Sequence, residues 1–222
     1  MSDAGEPYDL AAPSGTVSLP AGTSLLVTAP GSVGERFVTS CLAHGLDAGE
    51  EALVLTTDSP AGEIGDELRE RVSLDDEFVA DPVQIIDCQT DQLDTTDGAI
   101  VDKDVNTPRN LTDIGIAFKD AFDRFDRQGV DRVRFGVLSL SVILSYVDRE
   151  TGYRFCQTLT RSLAQEGALG LFVVNENAHD SDTIDTLKRA FDGHAEVDES
   201  DPFSVRISGI DGVAEEWLSL DE

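Results

Sequence analysis

Positive charge is what this 222-residue sequence has least of: 16 Lys and Arg stand against 44 Asp and Glu, for a formal net charge of −28. Only Lys103, Lys119 and Lys188 are lysines; every other basic residue is arginine. That scarcity argues against a nucleic-acid interface, which gathers Lys and Arg on one face to neutralise phosphates. Cysteine is nearly as rare, and Cys41, Cys88 and Cys156 stand far apart in apolar or helical surroundings. With no CxxC and no Cys/His cluster of metal spacing, they read as buried reduced thiols, and no metal is expected. No apolar run approaches the roughly 20 residues that span a bilayer. The opening MSDAGEPYDL has neither the basic nor the apolar region of a secretory signal, so a cytoplasmic protein with no membrane partner is expected.

What is present is enough for a core. The chain is 40% apolar and 27% charged, which excludes a disordered acidic tail. Its length suits one domain. Acidic residues fall in every segment rather than in one block, a pattern that suits concentrated salt. There the screening length shrinks to about 3 Å or less and self-repulsion becomes tolerable. The acidity thus speaks of habitat more than of partners.

The apolar pattern spells alternating strands and helices. Continuous apolar runs at 24–28 (SLLVT), 52–56 (ALVLT), 83–87, 133–138 and 169–174 are of buried-strand type. Between them, amphipathic helices are expected over 35–44 (ended by Gly45), 59–72, 110–128, 141–147, 152–166 and 182–191 (closed by Gly193). The tail alternates at 195–198, 204–210 and 216–220 in the half-buried antiparallel style. Residues 1–22 read as an extended N-terminal arm with a short strand at 16–19, and 23–222 as one domain. Within it the Asp-rich stretch 88–108 reads as a mobile loop. The fold class is therefore α/β, a parallel sheet covered by helices on both faces and extended at one edge by antiparallel strands.

The turn after the first strand carries the chemistry. A P-loop, G-x-x-x-x-G-K-[ST], surrounds phosphate with backbone N–H groups at a helix start. Its lysine reaches the β- and γ-phosphates, and its hydroxyl binds Mg²⁺. Here Ala29, Gly34, Glu35 and Arg36 stand at the corresponding places, with Gly31 inside the turn. A carboxylate replaces the lysine, and an arginine replaces the hydroxyl.

In these segments the chain resembles the RecA superfamily, and within it the KaiC-like ATPases, especially the haloarchaeal HTR-like type. LLVTAPGSVGERF is similar to their first strand and P-loop, LVLTTDSPAGEI to the second strand with its acidic pair, and VQIID to the third. RVRFGVLSLSVIL resembles the Walker B strand, and FDGHAEVDES…FSVRISGIDGVAEEWLSL the closing strands. The resemblance implies a RecA-like sandwich. It also places Leu138 where the Walker B aspartate belongs, and Thr57 and Asp58 where two acids orient the attacking water. Hydrolysis needs charge compensation, a metal and a positioned water, and most of those groups are replaced. The resemblance therefore implies a non-catalytic descendant with no cofactor, kept as a regulatory or signalling module with a protein partner or self-association. The alternatives are a switch that binds ATP weakly or without Mg²⁺, and a residual ATPase using Arg36 and Asp58.

Other candidates read as structural. His44, His179 and His194 share no ligand spacing. Ser139 and Ser141 lack a nucleophile elbow and read as a strand-end turn. Asn110 of Asn110-Leu111-Thr112 reads as a helix cap. Arg124, Arg127, Arg132 and Arg134 form the one basic cluster, expected to pair locally with Asp120, Asp123, Asp126 and Asp131. A subunit contact is the sharper alternative.

The charge balance makes the first prediction. Lowering KCl unscreens acid–acid repulsion, so the melting temperature should fall steeply below roughly 0.5 M. A melting temperature independent of KCl, followed by circular dichroism, would contradict the habitat argument.

Overall fold

The computed structural model describes residues 5–12, 15–57, 59–71, 82–88, 101–105, 107–199 and 203–220. Alternation along each buried strand builds two cores. Leu25, Val27, Ala52, Val54, Leu171 and Val173 face one side of the sheet, while Leu26, Leu53, Leu55, Phe172 and Val174 face the other. A strand buried on both faces needs helices on both, which is why the apolar runs are continuous.

In chain order, β1 (Tyr8–Ala12) and β2 (Gly15–Leu19) form a hairpin, β1 and β2 running antiparallel. Then come β3 (Ser24–Ala29), α1 (Val33–Asp47), β4 (Glu51–Thr56), α2 (Ala61–Arg71), β5 (Val83–Asp87) and β6 (Val101–Asp104). After these follow α3 (Leu111–Gln128), β7 (Val133–Val137), α4 (Leu140–Tyr146), α5 (Arg149–Glu166) and β8 (Leu169–Asn175). The chain closes with α6 (Ser181–Lys188), β9 (Gly193–Asp198), β10 (Phe203–Ser208) and β11 (Trp217–Leu220). The nine-stranded sheet runs β11-β10-β9-β3-β8-β7-β4-β5-β6, parallel from β9 to β6 and antiparallel at the β10–β11 edge.

One face carries α1, α2 and the hairpin; the other carries α3 to α6. On the second face a chain of edge-to-face rings, Phe118, Phe135, Phe172 and Phe191, runs at centroid spacings of 5.0, 5.5 and 5.0 Å. Such pairs add about 0.5–1.5 kcal/mol each beyond burial. Helix ends follow local chemistry. Asn110 Oδ1 accepts from Asp113 N–H, as the cap reading requires, and Asp148 caps α5 through Thr151 N–H. Gly129 and Gly167 close α3 and α5 in the left-handed conformation.

Several expectations need correction. The sequence reading has an arm with one strand at 16–19; the structure has a two-stranded hairpin whose Tyr8, Leu10, Val17 and Leu19 are buried. Within the expected 88–108 loop, 101–104 forms β6 and adds a parallel edge strand beside β5, while 89–100 and 106 lie outside the described residues. Gly193 does not close α6 but opens β9, which is parallel to β3 rather than antiparallel to all its neighbours. Gly45 does not end α1. It lies inside the helix, where a Cβ would run into the Arg134 side chain.

That collision marks the strongest electrostatic feature. On β7 the face toward α1 shows Arg134 and Gly136, and a Cβ on Gly136 would come within 3.0 Å of Val38 and Leu42. Helix α1 therefore lies low over the strand, and Arg134, 1% exposed, is sealed beneath its last turns. Its Nε donates to Glu50 Oε2, Nη1 to the Cys41 carbonyl at 2.7 Å and Nη2 to the Asp9 carbonyl at 2.9 Å. Arg132 holds the other Glu50 oxygen at 2.6 Å, reaches the Glu6 and Pro7 carbonyls, and stacks 4.2 Å over the Tyr8 ring. The expected aspartate pairing therefore fails for these two arginines. Arg124 reaches Gln84 at 3.4 Å, and Arg127 donates to the Asp123 carbonyl at 2.9 Å.

Removing one partner of a buried pair leaves an uncompensated charge, at a cost of about 3–5 kcal/mol. Arg134→Met and Glu50→Gln should each lose stability of that size in urea unfolding at high salt. The double replacement should lose less than the sum, because it strands no charge. Additive losses would show that the two groups act independently.

Candidate functional site

The carboxyl ends of the parallel strands define the site. From β3 the chain crosses to α1 on one face, whereas from the adjacent β8 it crosses to α6 on the other. The crevice between neighbouring strands whose connections leave in opposite directions is where open α/β sheets hold ligands.

The turn between β3 and α1 is short: Pro30, Gly31 and Ser32, with Gly31 at φ 53. The helix begins two residues earlier than expected, because Val33 N–H already turns inward to the Pro30 carbonyl at 3.2 Å. Gly34 is buried against β8, where a Cβ would meet Val173 Cγ1 at 2.6 Å, so this glycine permits helix–sheet contact. Glu35 is half-buried in the first turn of α1, where a carboxylate suits the helix dipole. The Ser59 hydroxyl donates to Glu35 Oε1 at 3.0 Å from the turn after β4. Arg36 is exposed.

Leu138 follows β7 directly and is 3% exposed. It belongs to the same packed cluster as Ala29, Val33 and Val173, so apolar packing surrounds the position where the resemblance leads one to expect a carboxylate. Thr57 is buried, and its hydroxyl donates to the Ser139 carbonyl at 3.2 Å. Asp58 lies outside the described residues. Ser139 is the residue before α4, and Ser141 Oγ accepts the Asn175 N–H at 2.9 Å. Thr56 Oγ1 donates to the Ser59 carbonyl at 2.6 Å. Hydroxyls thus join β4 to β7, β7 to β8, and the β4 turn to α1. Ser59 and Asn175 carry no motif in the sequence; their only local signals are a Ser-Pro step and a polar residue closing an apolar strand.

The histidines stay apart, and among the described residues no group of three His, Cys, Asp or Glu could hold a metal ion. His194 on β9 is nevertheless notable. It is 9% exposed, and its Nε2 lies 2.8 Å from Thr28 Oγ1, the residue before the last of β3. Burial pushes its pKa down to about 4, aided by Lys188 and Arg206 and opposed by Glu196 and Asp185. The three cysteines are buried, and burial raises each thiol to about 12, which keeps them inert.

The profile of a family of unknown function (DUF7504) matches residues 22–197, and the chain belongs to that family. Among curated proteins none matches it. In fold it is similar to the KaiC-like protein of the hyperthermophilic archaeon Pyrococcus horikoshii. The TM-score is 0.59 at 13% identity, over 89% of this chain and 84% of that one. The expected RecA-like α/β fold is thereby established, and the likeness is one of fold. No described helix is long and apolar enough to cross a membrane.

His194 makes the pH prediction. Its folded pKa of about 4 lies below the unfolded value near 6.5, so between the two the unfolded state binds the extra proton. Its contribution to stability is therefore complete above about pH 6.5 and is lost as pH falls toward 4. The slope from this group is at most about 1.4 kcal/mol per pH unit. Urea unfolding of wild type and His194→Gln across that range should show a shallower dependence in the variant. Parallel curves would mean that His194 titrates normally in the fold.

Proposed function

We propose that this chain is a non-catalytic KaiC-like pseudo-ATPase, serving as a protein-interaction or regulatory module in the cytoplasm of a salt-loving archaeon. The observation that carries the reading is Leu138: where Mg²⁺ would need a carboxylate, a 3% exposed leucine packs among Ala29, Val33 and Val173. Glu35 supports it. Beside a triphosphate its carboxylate repels where lysine attracts, by about 4 kcal/mol per contact at 4 Å and an effective dielectric near 20. Its bond from Ser59 ties the phosphate turn to the neighbouring turn instead. A domain with this site has no metal shell to lose and no nucleotide cycle to run, which leaves its surface to do the work.

Calorimetry in about 2–3 M KCl should therefore detect neither ATP binding nor turnover with Mg²⁺. Glu35→Lys with Arg36→Thr should gain measurable ATP affinity without hydrolysis, and adding Leu138→Asp should make that affinity Mg²⁺-dependent. A micromolar dissociation constant or turnover above blank in the wild type would overturn the proposal. If the restored variants fold, by circular dichroism, and still bind nothing, the pseudo-ATPase reading stands but Glu35 is not what disables the site.

A further inference from the structure

On the α6 side of the sheet, four side chains form a row across three strands. His194 and Glu196 stand two apart on β9 and so share a face. Arg206 on β10 lies opposite Glu196, and Trp217 on β11 lies opposite Arg206. The contacts follow that register. Arg206 Nη2 donates to Glu196 Oε2, and the guanidinium carbon sits 5.0 Å from the Trp217 ring centroid. Between His194 and Glu196 there is no hydrogen bond, because Nδ1 stands 3.9 Å from Oε1. Trp217 is the chain's single tryptophan, 49% exposed on the strand that ends the sheet.

The gap between His194 and Glu196 is the movable link. The charged groups facing the ring are Lys188 and Asp185 from α6, Glu196 on its own strand and Arg206 from β10. Glu176 lines the same cleft, and Thr28 Oγ1 on β3 lies 2.8 Å from Nε2. A neutral ring, in either tautomer, pulls little on a carboxylate already held by Arg206. A protonated ring has an N–H on both nitrogens, whichever tautomer preceded it. One then donates to Thr28 and the other faces Glu196 Oε1, where a charge-assisted bond needs an approach of about 1 Å. The ring is 9% exposed and held by Thr28, whereas the Glu196 side chain is 36% exposed, so the carboxylate is what moves. Arg206 follows it, because a charge-assisted hydrogen bond outweighs a cation–π contact at an exposed site. We propose that protonation of His194 draws Glu196 toward it and lifts the Arg206 guanidinium off Trp217, so that acid is read out at the outer edge of the sheet. Burial, with Lys188 and Arg206, holds the His194 pKa at about 4, so at neutral pH the indole is covered. The device rests on no reading of the Glu35 turn.

The single tryptophan makes the test direct. Trp217 emission and the His194 ring resonances of the ¹⁵N-labelled full chain are followed from about pH 7 to 3 in constant high KCl. Unchanged circular dichroism over the same range keeps acid unfolding out of the comparison. Emission should shift to the red as the indole is uncovered, with the same midpoint as the ring nitrogens. His194→Gln should abolish that shift. Glu196→Gln should leave His194 titrating, with a lower midpoint because the carboxylate that favours its charge is gone, while Trp217 no longer follows. Arg206→Met should raise the His194 midpoint, because an opposing cation is gone, and its emission should start red-shifted and stay flat. Glu196 and Arg206 are partly exposed, so these two variants carry the test even where a buried His194 replacement disturbs the fold. Wild-type emission that does not move with His194 overturns the proposal. So does emission that still follows the wild-type midpoint in any of the three variants.

Discussion

The buried Arg134–Glu50 pair organises one pole of the molecule. Arg134 leaves β7 under α1, Glu50 precedes β4, and the remaining guanidinium donors go to carbonyls of α1 and β1. Segments from three distant parts of the sequence, around Asp9, Cys41–Glu50 and Arg134, meet at one side chain. A buried ion pair is tolerable only when its remaining donors are satisfied, and here each direction of the guanidinium has a partner. The hairpin is the segment most dependent on it, since Arg132 and Arg134 together hold the carbonyls of Glu6, Pro7 and Asp9. Its apolar residues alone, Tyr8, Leu10, Val17 and Leu19, would specify burial without specifying position. The arginines supply the position.

Because that pole is tied, the opposite one can change chemistry without loss of the fold. The carboxyl ends of β4, β7 and β8 are joined by hydroxyls, with Thr57 to Ser139 and Ser141 to Asn175. The Ser59–Glu35 contact closes the row onto α1. Each is a modest interaction, on the order of 1 kcal/mol. Together they satisfy polar groups that a ligand or ordered water would otherwise have to meet. A carboxylate at the helix start is compatible with the dipole whether or not a phosphate was ever held there.

The strands and most helices were legible because doubly buried strands and one-faced helices leave periodic signals that depend on few distant partners. The misses have a common cause. Arg132 and Arg134 looked like members of a local charge cluster because Asp126 and Asp131 are near in sequence. Their partner Glu50 lies some 80 positions away and is found only once β4 and β7 are adjacent. Gly45 resembled a helix stop because a glycine at a helix end is usually a cap; close approach of a distant arginine looks identical in one dimension. Strand β6 escaped notice because an edge strand needs apolar residues on one face only, and VDKD has little to show. In the site, Glu35, Arg36 and Leu138 were singled out by their resemblance to a known pattern. The Ser59 contact and the Thr28–His194 bond were not, because no motif marks them.

Thr28 joins the two halves of the crevice. Its side chain bonds His194 on the α6 face, and its backbone continues through Ala29 into the turn that starts α1 on the other. Residue alternation makes this unavoidable: Val27 and Ala29 pack toward α1 while Thr28 faces α6. Any group that draws on the Thr28 hydroxyl or the His194 ring therefore acts within two residues of the turn that starts α1. The two features are adjacent because both hang on the last residues of one strand. That adjacency depends on the sheet's topology rather than on a lysine or a metal.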